Sequence, residues 1–320
     1  MTRRRDALVG LGLISTMQIV RANADKVWRI GYVTAIDDRL ALLRTSLATL
    51  GYFDGQNIRI VFRKTQPQSE IAAEAIKSIL SEIDMLVVSG TFFAVIAKKI
   101  APNIPTVFMN VGNPVRLGLV ATLAKPGGNQ TGISFEVADE TYGKRLQLLK
   151  ELVPSLRKVG LLCAPEDPNR IPATESIERA APGLAVRLTV HEVGSVDGFG
   201  EAFSAMKKEG VEGILVVAGV FMYLHGRLIA EMSVANRLPS AHAFRDTVIA
   251  GGLIGLGPDI DWMVPQVAGQ VAKILRGAKA SDIPVEQPSR YEVFLNLKTA
   301  RTLGIQVPRS VLMRADEVIQ

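Results

Sequence analysis

The strongest constraint on the fold is the regular alternation of short apolar stretches with amphipathic ones. Residues 84–90 (DMLVVSG) and 105–111 (PTVFMNV) are almost wholly apolar and too short for typical helices. Between them, residues 91–102 place apolar side chains at helical spacing. Strands that are apolar on both faces are typical of parallel sheets covered by helices on each side. The pattern therefore predicts a doubly wound α/β fold.

The alternation is interrupted once, by the proline- and glycine-rich residues 123–132, and then restarts. A chain of 320 residues is long enough for two domains of ordinary size. We expect an N-terminal lobe of residues 25–132, completed by about residues 257–285, and a C-terminal lobe of residues 133–256. Residues 286–320 are predicted to form a strand, a short helix and a tail, and the sequence does not assign them to either lobe.

Residues 1–24 have the pattern of an export signal. A basic start, an apolar stretch and an Ala-Asn-Ala sequence follow one another, which predicts cleavage after Ala24. The consecutive arginines resemble a twin-arginine signal, although Ala7 stands where an aromatic residue is usual. The alternative is an amphipathic or disordered N-terminal helix. The pattern favours a periplasmic protein.

Charge and composition argue against several classes of protein. Cleavage would remove four arginines and one aspartate, a net +3, so that the formal charge of +6 falls to +3. With so mild a charge and no basic cluster interleaved with aromatic residues, we expect no binding to nucleic acid. No apolar run reaches the roughly 20 residues that span a bilayer, so we expect no membrane-spanning segment in the mature chain. Cys163 is the only cysteine, which excludes an intramolecular disulfide.

Motifs for catalysis, metals and cofactors are absent from the sequence. The three histidines are far apart, the glycines of residues 251–257 do not read G-x-G-x-x-G, and neither a P-loop nor a G-x-S-x-G sequence occurs. The acidic pairs Asp37–Asp38 and Glu166–Asp167 stand at predicted strand ends. Their spacing alone does not separate an acid/base pair from solvated loop residues or a helix cap. We expect no catalytic residue, no metal and no cofactor.

Polar and aromatic residues follow the predicted strands in both halves. Because ligands of doubly wound sheets bind at the carboxyl ends of the strands, these residues together predict a cleft between the lobes, although each is an ordinary turn by itself. The stretches are Thr34–Asp38, Ser89–Phe92, Asn110–Arg116 and Ser134–Glu136 in the first half, and Pro165–Asn169, Gly219–Tyr223 and His242–Asp246 in the second.

Six stretches, in order along nearly the whole chain after the signal, resemble the substrate-binding proteins of ABC transporters, the group that includes tryptophan/phenylalanine-type binding proteins. They are residues 47–63, 89–134, 143–154, 251–260, 271–288 and 296–319. The resemblance implies a type I periplasmic-binding-protein fold, with two doubly wound parallel-sheet lobes joined by hinge strands. It also implies closure on a small molecule that is then presented to a membrane permease.

Carried over to this sequence, the resemblance implies ligand contacts from loops of both lobes and a position near the hinge for Ser134. The loops at Glu166–Pro168, Gly219–Phe221 and Phe244–Arg245 would serve the second lobe. Together with the strand-end residue Asp37, the candidate ligand-binding residues are Asp37, Gly90, Thr91, Asn113, Pro114, Ser134, Glu166, Phe221, Phe244 and Arg245.

This sequence departs from the family pattern at the predicted ligand loops. Family members usually carry Asp where Asn113 stands, and an amide has no charge with which to hold a ligand ammonium. Phe221 and Met222 predict an apolar or aromatic wall. Arg116 and Arg245 are candidates for binding a ligand carboxylate, although a solvent-facing arginine is the commoner interpretation of each.

The sequence therefore predicts an exported, non-catalytic, monomeric solute-binding protein. It would capture a small molecule, aromatic or carboxylate-bearing, between its lobes and deliver it to an ABC permease in the inner membrane. The alternatives are a ligand-sensing periplasmic module for a signalling receptor and, less favoured, a periplasmic α/β enzyme.

Overall fold

The computed structural model describes residues 26–36, 39–136 and 140–320. Within these residues the chain forms two separate sheets, each covered by helices, so the α/β fold with two mainly parallel-sheet lobes is confirmed. The predicted export signal, its cleavage site and the candidate residue Asp37 lie outside the described residues.

The first sheet has five parallel strands in the order β2-β1-β3-β4-β5. Its strands are β1 (Trp28–Thr34), β2 (Ile58–Lys64), β3 (Met85–Ser89), β4 (Thr106–Val111) and β5 (Gln130–Ser134). The helices between them are α1 (Leu40–Thr49), α2 (Ser69–Lys77) and α3 (Thr91–Ile100).

The strand β3 shows why an unbroken apolar run predicted a sheet covered on both faces. Val87 packs in one hydrophobic cluster with Leu47 of α1, whereas the next residue, Val88, packs in another cluster with Phe93 of α3. Successive side chains of a strand point to opposite faces, so both faces here need apolar residues. Each such side chain contributes about 1.5–3 kcal/mol when it is fully buried.

The second sheet has seven strands in the order β12-β11-β10-β9-β8-β6-β7, and only β10 and β11 pair antiparallel. Its strands are β6 (Lys158–Cys163), β7 (Arg187–Glu192), β8 (Gly213–Val216), β9 (Ser240–His242), β10 (Ile254–Gly257), β11 (Glu292–Asn296) and β12 (Glu317–Ile319). The helices in this part of the chain are α4 (Thr141–Leu152), α5 (Arg170–Ala180), α6 (Gly198–Glu209), α7 (Val220–Leu224), α8 (Gly226–Ala235), α9 (Arg245–Ile249), α11 (Leu297–Leu303) and α12 (Arg309–Arg314).

Residues 286–320, which the sequence did not assign to a lobe, provide β11 and β12 to the second sheet. The stretch expected to be a tail forms α12 and β12, and β12 pairs with β11. The helix α10 (Ile260–Leu275) follows β10 of the second sheet but packs on α1, β4 and β5 of the first lobe. The chain therefore crosses between the lobes after β5, after β10 and again before β11.

The buried side chain of Arg145 forms hydrogen bonds to two of these crossings. Its two terminal nitrogens donate to Glu136 Oε1, each at 3.1 Å, and its Nε donates to the backbone oxygen of Leu256 at 2.9 Å. The Arg145 side chain is only 1% exposed, and its guanidinium lies 4.6 Å from the centre of the Tyr142 ring. Because Glu136 follows β5 and Leu256 belongs to β10, one residue of α4 fixes the two crossings relative to each other.

Replacing Arg145 should destabilise the protein strongly, since Arg145→Met leaves a buried carboxylate and a backbone carbonyl without their donors. The expected loss is about 3 kcal/mol in the free energy of unfolding, measured by urea denaturation. The control is Arg227→Met, because Arg227 is 83% exposed and forms an ion pair with Glu231 one helical turn away. If Arg145→Met lowers the denaturation midpoint no more than Arg227→Met does, the Arg145–Glu136 pair does not stabilise the crossings.

Candidate functional site

A cleft lies between the two lobes, at the carboxyl ends of their strands. The ends of β1, β3 and β4 form one wall, and the segments after β6, β8 and β9 form most of the other. The space between the walls is about 530 Å³ when the open solvent at its mouth is counted. The residues that matter below are Tyr32, Arg39, Ser89, Gly90, Thr91, Asn110, Asp167, Asn169, Gly219, Tyr223 and Phe244.

The first-lobe wall contains the amino end of α3. Gly90 precedes this helix with φ of 97°, a conformation that favours glycine, and no side chain caps the helix. The first N–H groups of an α-helix have no acceptor within the helix, and they carry a partial positive charge. Because Gly90, Thr91 and Phe92 all line the cleft, this helix end offers donors to an anionic group there.

The hydroxyl of Thr91 is arranged as a donor to the cleft. Its oxygen accepts from the N–H of Gly112 at 2.8 Å and from Asn169 Nδ2 at 3.1 Å. A hydroxyl has two acceptor lone pairs and one hydrogen to donate, and both lone pairs are used here. Among the described residues the hydroxyl hydrogen has no acceptor, so it is available to a ligand.

Asn110, the penultimate residue of β4, has the left-handed conformation, with φ of 60°. The pairing of β4 with β5 shifts register between Phe108 and Val111, around this residue. Asparagine tolerates the left-handed region better than most residues, and non-glycine residues held there cluster at functional sites. The twist brings Asn110 into the lining of the cleft beside Ser89.

The second-lobe wall is built on the carboxylate of Asp167, which is only 9% exposed. Its Oδ1 accepts from the N–H of Asn169 at 2.9 Å. Its Oδ2 lies against Gly219, where an added Cβ would come within 1.4 Å of it, so any larger residue at that position would displace the carboxylate. Asn169 in turn donates from Nδ2 to the oxygen of Ala218 at 3.0 Å, and this fixes its amide orientation.

The second-lobe wall also contains the aromatic rings of Phe244 and Tyr223. Phe244 packs against Phe135 with ring centres 5.1 Å apart and against Tyr223 at 4.9 Å, edge to face. The Tyr223 hydroxyl donates to Asp246 Oδ2 at 2.6 Å, so this ring is held in place. Together with Tyr32 of the first lobe, these rings suit an apolar or aromatic group of a ligand.

Contacts across the cleft hold the lobes together in this structure. Glu166 of the second lobe accepts from the N–H of Ser69 at 3.2 Å and from its hydroxyl at 2.7 Å. Arg116 of the first lobe forms an ion pair with Glu175 of α5. With the Asn169 bridge to the first lobe, these contacts define a closed arrangement.

The structure brings Gly90, Thr91 and Phe244 together around the cleft and places the other described candidates outside its lining. Asn113 Oδ1 accepts from the N–H of Arg116 at 3.1 Å and so shapes a turn, and Pro114 beside it is buried.

The remaining candidates lie elsewhere in the structure. Ser134 is fully buried at the crossing after β5. Phe221 stacks on Phe199 with ring centres 5.9 Å apart, behind the wall. Arg245 Nη2 donates to Glu317 Oε1 at 2.6 Å, away from the cleft. Glu166, as described, joins the lobes rather than lining the space between them.

Several cleft residues were not among the sequence candidates, although the strand-end stretches contained them. Asp167 stands next to the candidate Glu166, yet only Asp167 faces the cleft, and the sequence holds no signal for which of two adjacent loop residues turns inward. Asn110 had a clearer signal, because it is the first polar residue after the apolar run of β4.

The described residues offer little support for a metal site, for a reactive Cys163 or His242 side chain, or for a membrane-spanning helix. No three His, Cys, Asp or Glu side chains there are grouped so that they could hold a metal ion. Burial raises the pKa of the Cys163 thiol to about 12 and lowers that of His242 to about 4. No helix among the described residues combines the length and hydropathy needed to cross a membrane.

A family model described as ABC transporter substrate binding protein matches residues 34–319. The chain therefore belongs to the family of ABC transporter substrate-binding proteins.

Individual relatives are distant in sequence. A tyrosine-binding protein from Clostridioides difficile (strain R20291) is 24% identical over 279 residues, which are 86% of this chain and 76% of that protein. An ABC domain in complex with L-Trp from Streptococcus pneumoniae shares the fold with a TM-score of 0.84 and 24% identity, over 92% of this chain and 100% of the other. A ligand-free, open substrate binding protein with adhesive properties from Clostridium difficile gives a TM-score of 0.64 at 22% identity, with the same coverage.

Asp167 should cost the folded protein stability at neutral pH. Its pKa is raised from 3.8 to about 6, mainly because burial disfavours the charged form. A carboxyl whose pKa is higher in the folded state lowers stability as pH rises from its unfolded pKa through its folded pKa. Asp167→Asn should therefore raise the melting temperature near neutral pH, by the equivalent of at most about 3 kcal/mol, and the gain should shrink toward about pH 4.

Differential scanning calorimetry across this pH range checks the prediction. The matched control is Asp197→Asn, an exposed aspartate of the same lobe, which should show no such pH dependence. If Asp167→Asn raised the melting temperature equally at about pH 4 and at neutral pH, the prediction would be contradicted.

Proposed function

We propose that this protein is exported and captures a small solute between its lobes, and that it delivers the solute to an ABC importer. The solute carries a carboxylate and an aromatic or apolar side chain. The observation that carries this proposal is the make-up of the cleft. One wall offers the uncapped end of α3 and the Thr91 hydroxyl, and the aromatic rings of Tyr223 and Phe244 stand across from them.

Each feature of the cleft would bind a different part of the solute. A carboxylate would accept from the Thr91 hydroxyl and from the first N–H groups of α3, whose partial positive charge favours an anion. An apolar group would lie against Phe244 and Tyr223. A protein named for binding tyrosine and a solved structure with bound L-Trp are among the relatives, which supports a solute of this class.

Capture would proceed by a hinge motion. Opening the cleft breaks the Asn169–Thr91 and Glu166–Ser69 hydrogen bonds, while Arg145 keeps the crossings anchored. A solute that touches both walls stabilises the closed state alone and so shifts the population toward it.

The candidate residues divide into three groups under this proposal. Gly90, Thr91 and Phe244 contact the solute, and Asp37 stays a predicted contact because it follows Ile36, which lines the cleft. Glu166 holds the closed lobes together. The supporting group lies around the walls and the hinge and consists of Asn113, Pro114, Ser134, Phe221 and Arg245.

The protein would act without catalysis, as a periplasmic monomer, with the permease of the importer as its macromolecular partner. Membership in the substrate-binding family supports this assignment. The export signal predicted for residues 1–24 supports the compartment.

Binding should compact the protein. We expect L-tyrosine, L-tryptophan or L-phenylalanine to raise the melting temperature of the mature chain, because a ligand that binds only the folded state stabilises it. Small-angle scattering should show a smaller radius of gyration with the same ligand. Stabilisation without any compaction would contradict closure, and no stabilisation by any of the three would contradict the aromatic solute.

The aromatic wall is tested by Phe244→Ala. Loss of the ring removes apolar contact area and should weaken binding about tenfold or more, measured by isothermal titration calorimetry. The control is Phe53→Ala, since Phe53 is 45% exposed on the first lobe and lies outside the cleft. Circular dichroism verifies that both variants are folded. If the two variants bound the ligand with equal affinity, Phe244 would not contact the solute.

A further inference from the structure

We propose that Tyr142 controls how long the closed protein retains its solute, because it positions the Asn169 amide that joins the two lobes. This role rests on the proposed function. Tyr142 is a positioning residue, since it does not itself line the cleft. The role is carried by a chain of hydrogen bonds that runs from Tyr142 through Ala218 and Asn169 to Thr91 on the opposite lobe.

The side-chain amide of Asn169 reaches from the second lobe into the first. Its Nδ2 donates to Thr91 Oγ1 at 3.1 Å, and the same oxygen accepts from the N–H of Gly112 at 2.8 Å. Its Oδ1 lies against Gly112, where an added Cβ would come within 2.2 Å of it. Thr91 and Gly112 therefore form an amide pocket on the first lobe, which Asn169 enters when the lobes close.

A hydrogen bond within the second lobe fixes the direction of this amide. Asn169 Nδ2 also donates to the backbone oxygen of Ala218 at 3.0 Å, so the position of Ala218 determines where the amide points. Ala218 lies beyond the end of β8 at Val216, outside the sheet. Its N–H donates to the hydroxyl of Tyr142 at 3.0 Å. Side chains thus hold both backbone groups of Ala218, and one of them belongs to α4.

Tyr142 is itself held firmly near the amino end of α4. It is buried, and its ring lies 4.6 Å from the guanidinium of Arg145, which binds two of the crossings between the lobes. The next residue, Gly143, donates its N–H to Ser176 Oγ of α5 at 3.2 Å. Because Asn169 directly precedes α5, the packed helices keep Tyr142 and Asn169 in a fixed relation.

Burial makes the Tyr142 hydroxyl difficult to replace. Loss of solvent raises the pKa of Tyr142 far above its usual value, so the hydroxyl stays neutral. A buried N–H that loses its acceptor destabilises its surroundings more than the loss of an exposed hydrogen bond does. Without the hydroxyl, Ala218 would shift, and the Asn169 amide would leave the amide pocket with it. The solute would then leave sooner, since affinity changes among variants of one site act mainly through dissociation.

The test measures the dissociation of L-tryptophan and L-tyrosine from the mature protein by stopped-flow fluorescence. Tyr142→Phe keeps the ring and removes only the hydroxyl, and it should speed dissociation about threefold to tenfold with little change in the association rate. Asn169→Ala should speed dissociation at least as much. Gly112→Ala leaves α4 untouched and places a methyl group in the amide pocket, so it should also speed dissociation.

Double variants distinguish positioning of the amide from a general structural role. If Tyr142 acts through Asn169, adding Tyr142→Phe to Asn169→Ala should speed dissociation by no more than about twofold further. Gly112→Ala should likewise lose its effect in that background, because its methyl group then has no amide to displace. If Tyr142 were only structural, the effects of Tyr142→Phe and Asn169→Ala would multiply.

Tyr52→Phe is the matched control. Tyr52 packs against the hydrophobic core away from the cleft, so loss of its hydroxyl should leave dissociation unchanged. Calorimetric melting establishes that each variant is folded. Small-angle scattering of the solute-free proteins provides a readout that needs no solute. Tyr142→Phe, Asn169→Ala and Gly112→Ala should each have a larger radius of gyration than the wild type.

The outcomes are distinct. Faster dissociation in Tyr142→Phe that disappears in the Asn169→Ala background supports the inference. Unchanged dissociation in Tyr142→Phe or in Gly112→Ala, or effects that multiply, overturns the inference and leaves the proposed function in place. If the wild type binds no aromatic amino acid, the proposed function is overturned, and the scattering comparison still decides whether Tyr142 holds the lobes together.

Discussion

The burial of both faces of each sheet is the constraint from which the rest of this structure follows. Alternate residues of β3 enter separate hydrophobic clusters, so helices must cover each side. The edge at the carboxyl ends of the strands is then the place where polar groups reach solvent. Two such sheets facing each other create a cleft without any dedicated element to build it.

The electrostatics of the cleft are divided between the lobes. The first lobe supplies donors, from the end of α3 and from Thr91, and the second supplies the acceptor Asp167. Asn169 joins the two walls with hydrogen bonds from its backbone and its side chain. The two kinds of group lie on different lobes, so neither lobe alone carries both.

The fold could be predicted from the sequence because the spacing of apolar residues along the chain determines which faces of the strands and helices are buried. The strand-end position and the family resemblance both pointed to Gly90 and Thr91, and these two residues line the cleft. Glu166 was selected over Asp167 because composition does not reveal which neighbouring side chain turns inward. The absence of a charge at Asn113 predicts that no ammonium is bound at that loop.

The close approach of Gly90 to the second lobe bears on how the cleft shuts. A Cβ at this position would lie 2.7 Å from Val220 Cγ2, so a single methyl group would press on the opposing wall. The absence of a side chain at Gly90 therefore lets Val220 of the opposing wall approach this closely. A larger residue at position 90 would strain the backbone there, because its φ of 97° favours glycine, and would also hold the two walls farther apart.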